Sequence, residues 1–323
     1  MDHISDTVFH GLSQLNNVEV TDAPRMWFMY RNEFKPQGTH ELTELYGNGF
    51  SLWASMNENL NIDRSNIEEK IKSHYYDIVV IARTDLGTPY LNLILEHYSA
   101  DEIIALSGRD VAHIDYNFYG KSTYFIRELR DIIINGIYQA GPYHPEFDIN
   151  QVYPIHCSHP KEKIQTALPK VQAWSHVKPE PGHHAGYIYS KEQDYYDDYR
   201  RSLFGLTTTR GGWESQRHYE IMACRCIPYF PNLEYAPPLV MRTLPKELLI
   251  HARTRVDQQG ADYFMPGNAG WDEYQELEQR IFDHFVANCT TESMAKYVLD
   301  THHQHVHGAK EQVLLTYYPA IGI

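Results

Sequence analysis

The sequence predicts an α/β protein built from two doubly wound, mostly parallel sheets in two domains. Three observations carry that expectation. A strand, glycine turn, helix and second strand follow one another between 203 and 230, reading FGLTTTRGGWESQRHYEIMACRCIPYF from Phe204. Strand-like and helix-like runs alternate through the first half of the chain. Between 141 and 184, Pro142, Pro145, Pro154, Pro160, Pro169, Pro179 and Pro181 interrupt every periodic pattern and mark a connection between domains. A chain of 323 residues is long enough for two domains of ordinary size, divided here as 1–150 and 151–323.

Taken in order, 18–20, 26–30 and 49–53 read as strands. The stretch 63–75 carries Ile67, Ile71 and His74 at helical spacing, with Asp63 or Ser65 able to cap its start. The run DIVVI at 77–81 is continuously apolar between turns, the mark of a central parallel strand. A helix over 88–98, a strand over 102–106 and a strand at 132–134 complete the first half. The segment 152–157 reads as a first strand of the second domain. A charged helix over 191–201 leads into the central unit. Further helices follow from Pro245, which stands in the first turn, and over 271–288 and 291–302.

Composition narrows the function. The hydrophobic share of 42% supports an ample core, and 28 basic against 42 acidic residues give a net charge of −14. That balance argues against broad affinity for nucleic acid or anionic membranes, leaving only a local basic groove open. The four cysteines, Cys157, Cys224, Cys226 and Cys289, make no metal-ligand spacing and read as reduced thiols. The start, MDHISDTVFHGL, lacks the basic and apolar regions of a signal peptide, and no apolar run reaches the ~20 residues of a membrane span. A cytoplasmic location is expected. Tyrosine is frequent, with 25 against 12 phenylalanines, and suits contacts with sugars and bases as well as ordinary half-buried packing.

The central unit carries the chemistry. Parallel α/β units bind ligands beyond the carboxyl ends of their strands. Gly211 and Gly212 let backbone approach a ligand, and a helix beginning there would offer N–H groups and a positive dipole end to a diphosphate. On that helix Trp213, Arg217, Glu220 and Cys224 share one stripe. One reading is an exposed Arg217–Glu220 pair beside a half-buried tryptophan. The other places Arg217 at a phosphate and Glu220 at two vicinal sugar hydroxyls. Spacing alone leaves both open.

The segment SLFGLTTTRGGWESQRHYEIMACRCIPYFPNLEYAPP, followed by TLPKELL, resembles the nucleotide-sugar-binding half of exostosin-like glycosyltransferases of the GT-B fold. The likeness is strongest over 186–250 and continues more faintly in ELYGNGF at 44–50, YDIVVI at 76–81 and YFIREL at 124–129. Arg225 stands where that family usually has glycine, so the turn after the helix is expected to differ. The resemblance implies two Rossmann-like domains facing a cleft, acceptor bound by the first and nucleotide sugar by the second. It also implies a last helix that can cross back to the first domain, and inversion at the anomeric carbon.

The expected activity is therefore transfer of a sugar from a nucleoside-diphosphate sugar to a hydroxyl acceptor such as a glycan. Thr208, Thr209, Arg210, Gly211, Gly212 and Trp213 would surround the donor with Arg217 and Glu220, Arg217 also stabilising the leaving diphosphate. A carboxylate from the first half, Asp85, Asp110 or Glu128, would take the acceptor proton. No Asp-x-Asp metal motif is read, so neither metal nor cofactor is expected. Asp194, Asp197 and Asp198 read as a solvated helix face, and His302, His303, His305 and His307 as a frayed surface segment with at most opportunistic affinity for a transition metal. Two alternatives are a non-catalytic nucleotide-sugar or glycan-binding protein on the same scaffold and a glycosyltransferase acting on a modified nucleic-acid base.

Overall fold

Two parallel sheets organise the chain. The computed structural model describes residues 2–31, 50–57, 61–84, 88–111, 113–129, 148–179 and 188–308. The first sheet runs β1 (Val79–Ile81), β2 (Ile103–Ser107), β3 (Thr123–Ile126) and β4 (Val152–Pro154) in that spatial order, every pair parallel. The second runs β5 (Gln172–Trp174), β6 (Ser202–Leu206) and β7 (Ile227–Tyr229), also parallel throughout. All five residues of β2 are buried, as a central strand covered on both faces requires. The segment at 152–157 thus supplies the fourth strand of the first sheet, and the chain passes to the second sheet between Pro154 and Gln172.

The helices follow from apolar spacing and their stops. They are α1 (His3–Gln14), α2 (Ile67–Lys72), α3 (Leu91–His97), α4 (Glu192–Arg201), α5 (Gln216–Ala223), α6 (Lys246–Gln259), α7 (Trp271–Asn288) and α8 (Thr291–His307). In α7, Tyr274, Leu277, Ile281 and Phe285 make one buried stripe. Gly260, at φ 80°, ends α6 in a conformation other residues adopt only with strain. Asp2 caps α1 by accepting from the Ile4 amide at 2.9 Å.

The longest-range packing joins the two ends of the chain. Helix α1 lies along α8, and a Cβ at Gly11 would stand 2.0 Å from the Thr291 carbonyl oxygen, so only glycine permits that crossing. His10 fastens it, with Nδ1 2.9 Å from the Thr291 hydroxyl and Nε2 2.8 Å from Glu162. Helix α8 also reaches the first sheet through His302 on Thr123 and His305 on Tyr153. One apolar cluster runs from Ile4 and Val8 through Ile104 and Phe125 to Phe204, Ile227 and Phe285, so both sheets share it. Among the described residues no helix is long and apolar enough to cross a membrane.

Several expected elements differ. Residues 27–29 form a short 3-10 turn, because Asp22 accepts from the Met26 amide at 2.8 Å and the Tyr30 hydroxyl at 3.0 Å and so draws the chain into a bend. Residues 50–54 are turn rather than strand, with Ser51 at φ 75° and Ala54 at φ 50°. The reading at 132–134 and residues 44–49 of the ELYGNGF segment lie outside the described residues. The acidic side of α4 is not uniformly solvated: Asp194 is exposed, but Asp198 is buried and accepts from Gln172 at 2.9 Å and from His176. The histidine-rich end is helical to His307, two of its histidines being held inward by the bonds to Thr123 and Tyr153.

Candidate functional site

Four strand ends from the two sheets converge on one place. Strand β2 runs out into Gly108, Arg109 and Asp110, and β3 into Arg127 and Glu128. From the second sheet, β6 continues into residues 207–214 and β7 into Phe230, Pro231 and Asn232. Thr208, Thr209, Arg210, Gly211, Gly212, Trp213, Pro231 and Asn232 line a cleft of about 320 Å³ at the carboxyl ends of β6 and β7. Six of these eight belong to the expected donor loop. This is the position at which an open parallel sheet offers a ligand site.

The loop's shape comes from tight internal and cross-half contacts. The Arg210 amide donates to the Gly212 carbonyl at 2.9 Å, closing the tip. His218, one turn into α5, braces both flanks: its Nε2–H donates to the Trp213 carbonyl at 2.9 Å, so Nδ1 accepts from the Thr207 hydroxyl at 2.9 Å. Burial holds that imidazole down at about 4, so it is neutral and keeps this tautomer. Its ring packs on Phe230 with centroids 4.9 Å apart, and the Trp213 ring flanks the same phenylalanine at 6.1 Å.

The two glycines serve a close approach, but to carboxylates of the first half. A Cβ on Gly211 would lie 2.7 Å from Asp110 Oδ2, and one on Gly212 would lie 2.2 Å from Glu128 Oε1. Glu128, fully buried, accepts from the Glu214 amide at 3.0 Å. Arg127 spans the junction, donating to the Gly108 carbonyl at 2.9 Å and the Glu214 carbonyl at 2.6 Å while pairing with Asp110 at 2.7 Å. Thus two of the three expected bases meet the expected donor loop, and Asp85 lies outside the described residues. Of the two, Asp110 has an exposed carboxylate and Glu128 a buried one, so only Asp110 can meet an acceptor from solvent.

The helix does not begin at the glycines. Helix α5 starts at Gln216 behind an extended Ser215, so Gly211 and Gly212 sit in the loop ahead of the positive dipole end. Glycine is a poor helix former, and the cross-half contacts fix these two in a different backbone.

Arg217 and Glu220 lie apart from the cleft. Neither is exposed, each keeping 7% of its surface, and neither lines the cleft. Both oxygens of Glu220 are occupied by protein hydroxyls, Oε1 by Ser51 at 2.6 Å and Oε2 by Tyr195 at 2.6 Å. The same layer continues outward. Glu192 accepts from the Ser51 amide at 2.6 Å and from Lys163 at 2.8 Å, with the Tyr196 hydroxyl at 2.9 Å. Burial raises the Glu220 carboxyl above the usual range, and the hydroxyls of Ser51 and Tyr195 pull it back. Glu214, also buried, is pushed up to about 8 by desolvation, against the pull of the Tyr219 hydroxyl and Arg127.

The turn after α5 keeps the conformation a glycine would take. Arg225 adopts φ 55°, its side chain pairing with Glu278 at 2.9 Å and lying over the Phe282 ring at 4.2 Å, contacts that offset the left-handed strain.

Residues not singled out from sequence also shape the site. Arg127 directly follows β3 and Asn232 stands three residues beyond β7, a signal visible once the strands are assigned. Ser51 and Tyr195 had no such signal, because they meet Glu220 only through the fold, whereas His218 bonds to Thr207 and Trp213 close by in the chain. Among the described residues no group of three or more His, Cys, Asp or Glu side chains is arranged to hold a metal ion. Comparisons with known protein families, with curated proteins and with solved structures found no match.

Proposed function

We propose that this chain is a nucleotide-sugar-dependent glycosyltransferase of GT-B type, with the donor diphosphate in the cleft beyond β6 and β7. The observation that carries the reading is the cleft lined by the loops that follow β6 and β7, with the exposed carboxylate of Asp110 packed beside the β6 loop at Gly211. The hydroxyls of Thr208 and Thr209, the Arg210 guanidinium and the backbone of Gly211 and Gly212 suit phosphate oxygens and the charge that develops as the diphosphate departs. Arg127, paired with Asp110 at 2.7 Å, holds that exposed carboxylate beside the loop.

In the proposed step the acceptor oxygen attacks the anomeric carbon as the bond from that carbon to the diphosphate oxygen breaks. The bonding pair leaves on the nucleoside diphosphate, and the acceptor proton passes to Asp110. A single displacement of this kind inverts the anomeric centre. Glu220 reaches ribose hydroxyls only if Ser51 and Tyr195 give up its oxygens, so the loop, and not α5, is assigned the first contacts with donor.

A panel of nucleoside-diphosphate sugars tests the proposal by thermal shift and by release of nucleoside diphosphate. A donor at about 100 times its dissociation constant adds about 2.7 kcal/mol of stability. Asp110→Asn is expected to retain donor binding and lower turnover by about 10²–10⁴-fold, while Arg210→Ala weakens donor binding. The proposal fails if no donor stabilises the chain or is cleaved, or if Asp110→Asn turns over like the parent.

A further inference from the structure

The four histidines that close α8 divide into two pairs with different surroundings. His302 and His305 face the fold, with Nδ1 of each bonded to Thr123 at 2.7 Å and to Tyr153 at 2.9 Å. Those two bonds fix the rotation of the helix about its axis. His303 and His307, one turn apart, are thereby left on its outer side, both exposed, with ring centroids 4.7 Å apart and planes at 59°.

We propose that His303 and His307 clamp a divalent transition metal ion of the zinc, nickel or copper class. Residues at this spacing lie above one another on one helical face, so both imidazoles address the same point in solvent. An imidazole nitrogen binds zinc at about 2.0–2.1 Å, so a tetrahedral ion needs the two nitrogens about 3.3 Å apart. Rings whose centroids are 4.7 Å apart reach that separation by turning their exposed side chains. The clamp stands in the last turn, where unpaired helix carbonyls favour positive charge. Imidazole ligands select zinc, copper and nickel over magnesium and calcium. With two ligands from the protein, water completes the coordination. The ion would bridge the final turn of α8 and so hold the helical end that carries His302 and His305 onto the first sheet.

Titration calorimetry with zinc chloride, and separately nickel chloride, on protein carrying no histidine tag tests this directly. One ion per chain is expected, and zinc should raise the melting temperature. Because the second ligand acts at high effective concentration, His303→Ala and His307→Ala are each expected to weaken binding by about tenfold or more and to abolish the thermal shift. Gln304→Ala, on the same exposed turn, should leave both unchanged. The second histidine pair among the described residues, His74 and His97, has ring centroids 6.4 Å apart and supplies the rival location. Binding of unchanged affinity in either variant overturns the proposal by placing the ion there or elsewhere. Absence of binding, or equal loss in Gln304→Ala, overturns it as well.

Discussion

The glycine loop at 208–213 and the polar face of α5 are neighbours in the chain, yet they meet the same problem in opposite ways. Each concentrates polar groups where the two halves of the fold meet. In the loop those groups border an open cleft and are placed by backbone: a tip closed by Arg210 on Gly212, flanks braced by His218, and glycines pressed on Asp110 and Glu128. On α5 the groups are buried, and Glu220 has both oxygens taken by Ser51 and Tyr195. A buried polar group must find partners within the fold or impose its full desolvation cost, whereas one at an open cleft can keep water until a ligand replaces it. The contrast separates polar groups that border an open cleft from groups that hold the halves together.

Substitution at Glu220 tests that division most strongly. If the carboxylate is a joint between α5, α4 and the 50–57 turn, Glu220→Ala leaves buried hydroxyls without their acceptor and should cost about 2–4 kcal/mol in chemical denaturation. An unchanged or higher stability, with donor affinity lost, would move Glu220 back among the ligand contacts.

Next in size is the difference between the two glycines. Gly212→Ala drives a methyl into Glu128 Oε1, itself held by the Glu214 amide, and comes within 2.8 Å of the Asp110 carbonyl oxygen. A loss of about 2 kcal/mol is expected. Gly211→Ala meets only the side chain of Asp110, its Oδ2 at 2.7 Å and its Cβ at 2.9 Å, with no backbone atom among its nearest contacts, and should cost less, about 1 kcal/mol. Equal costs would mean that the loop is not pinned more firmly at Gly212 than at Gly211.

The last test, read over a narrow interval, is a pH dependence at Glu214, which lies between loop and helix. Its folded carboxyl keeps a proton up to about 8, whereas an unfolded glutamate releases its own near about 4.3. Between those values the folded chain holds the extra proton, so stability falls as pH rises, by about 1.4 kcal/mol per unit, and levels off above the folded value. Asp6, raised by burial to about 7, shares the fall below that pH. The buried imidazoles of His156, His159 and His218, lowered to about 3, 4 and 4, act with opposite sign, costing stability as acid protonates the unfolded chain. Between pH 7 and 8 Glu214 carries the largest share of the fall, and Glu214→Gln should make the curve shallower there. A parent curve that is already flat across that interval would refute the assignment.

Local pattern made much of the architecture legible. The apolar run at 77–81 contains β1, the FGLTTT stretch contains most of β6 and its loop, and the helix expected over 271–288 is α7 to the residue. Apolar periodicity and strand-end turns are properties of neighbours in sequence, so they survive without a fold around them. The cleft was legible for the same reason: the loop after β6 follows a strand end wherever the rest of the chain goes. Helix α1 and strand β5 were not anticipated, since α1 is held by Gly11 against Thr291 and β5 by pairing with β6.

What only the tertiary structure decided is the environment of the charged groups. Sequence placed Arg217 and Glu220 on one stripe but could not say what the stripe faces. Ser51, 169 positions away from Glu220 along the chain, settles that it is a buried joint. In the same way Asp110 and Glu128 were equivalent carboxylates near strand ends, and burial by Gly212 and Glu214 makes one interior and leaves the other exposed to solvent. Secondary structure is specified by residues close in the chain, whereas exposure, ion pairing and proton affinity depend on groups brought together by the fold, and those determine which polar residues can do chemistry.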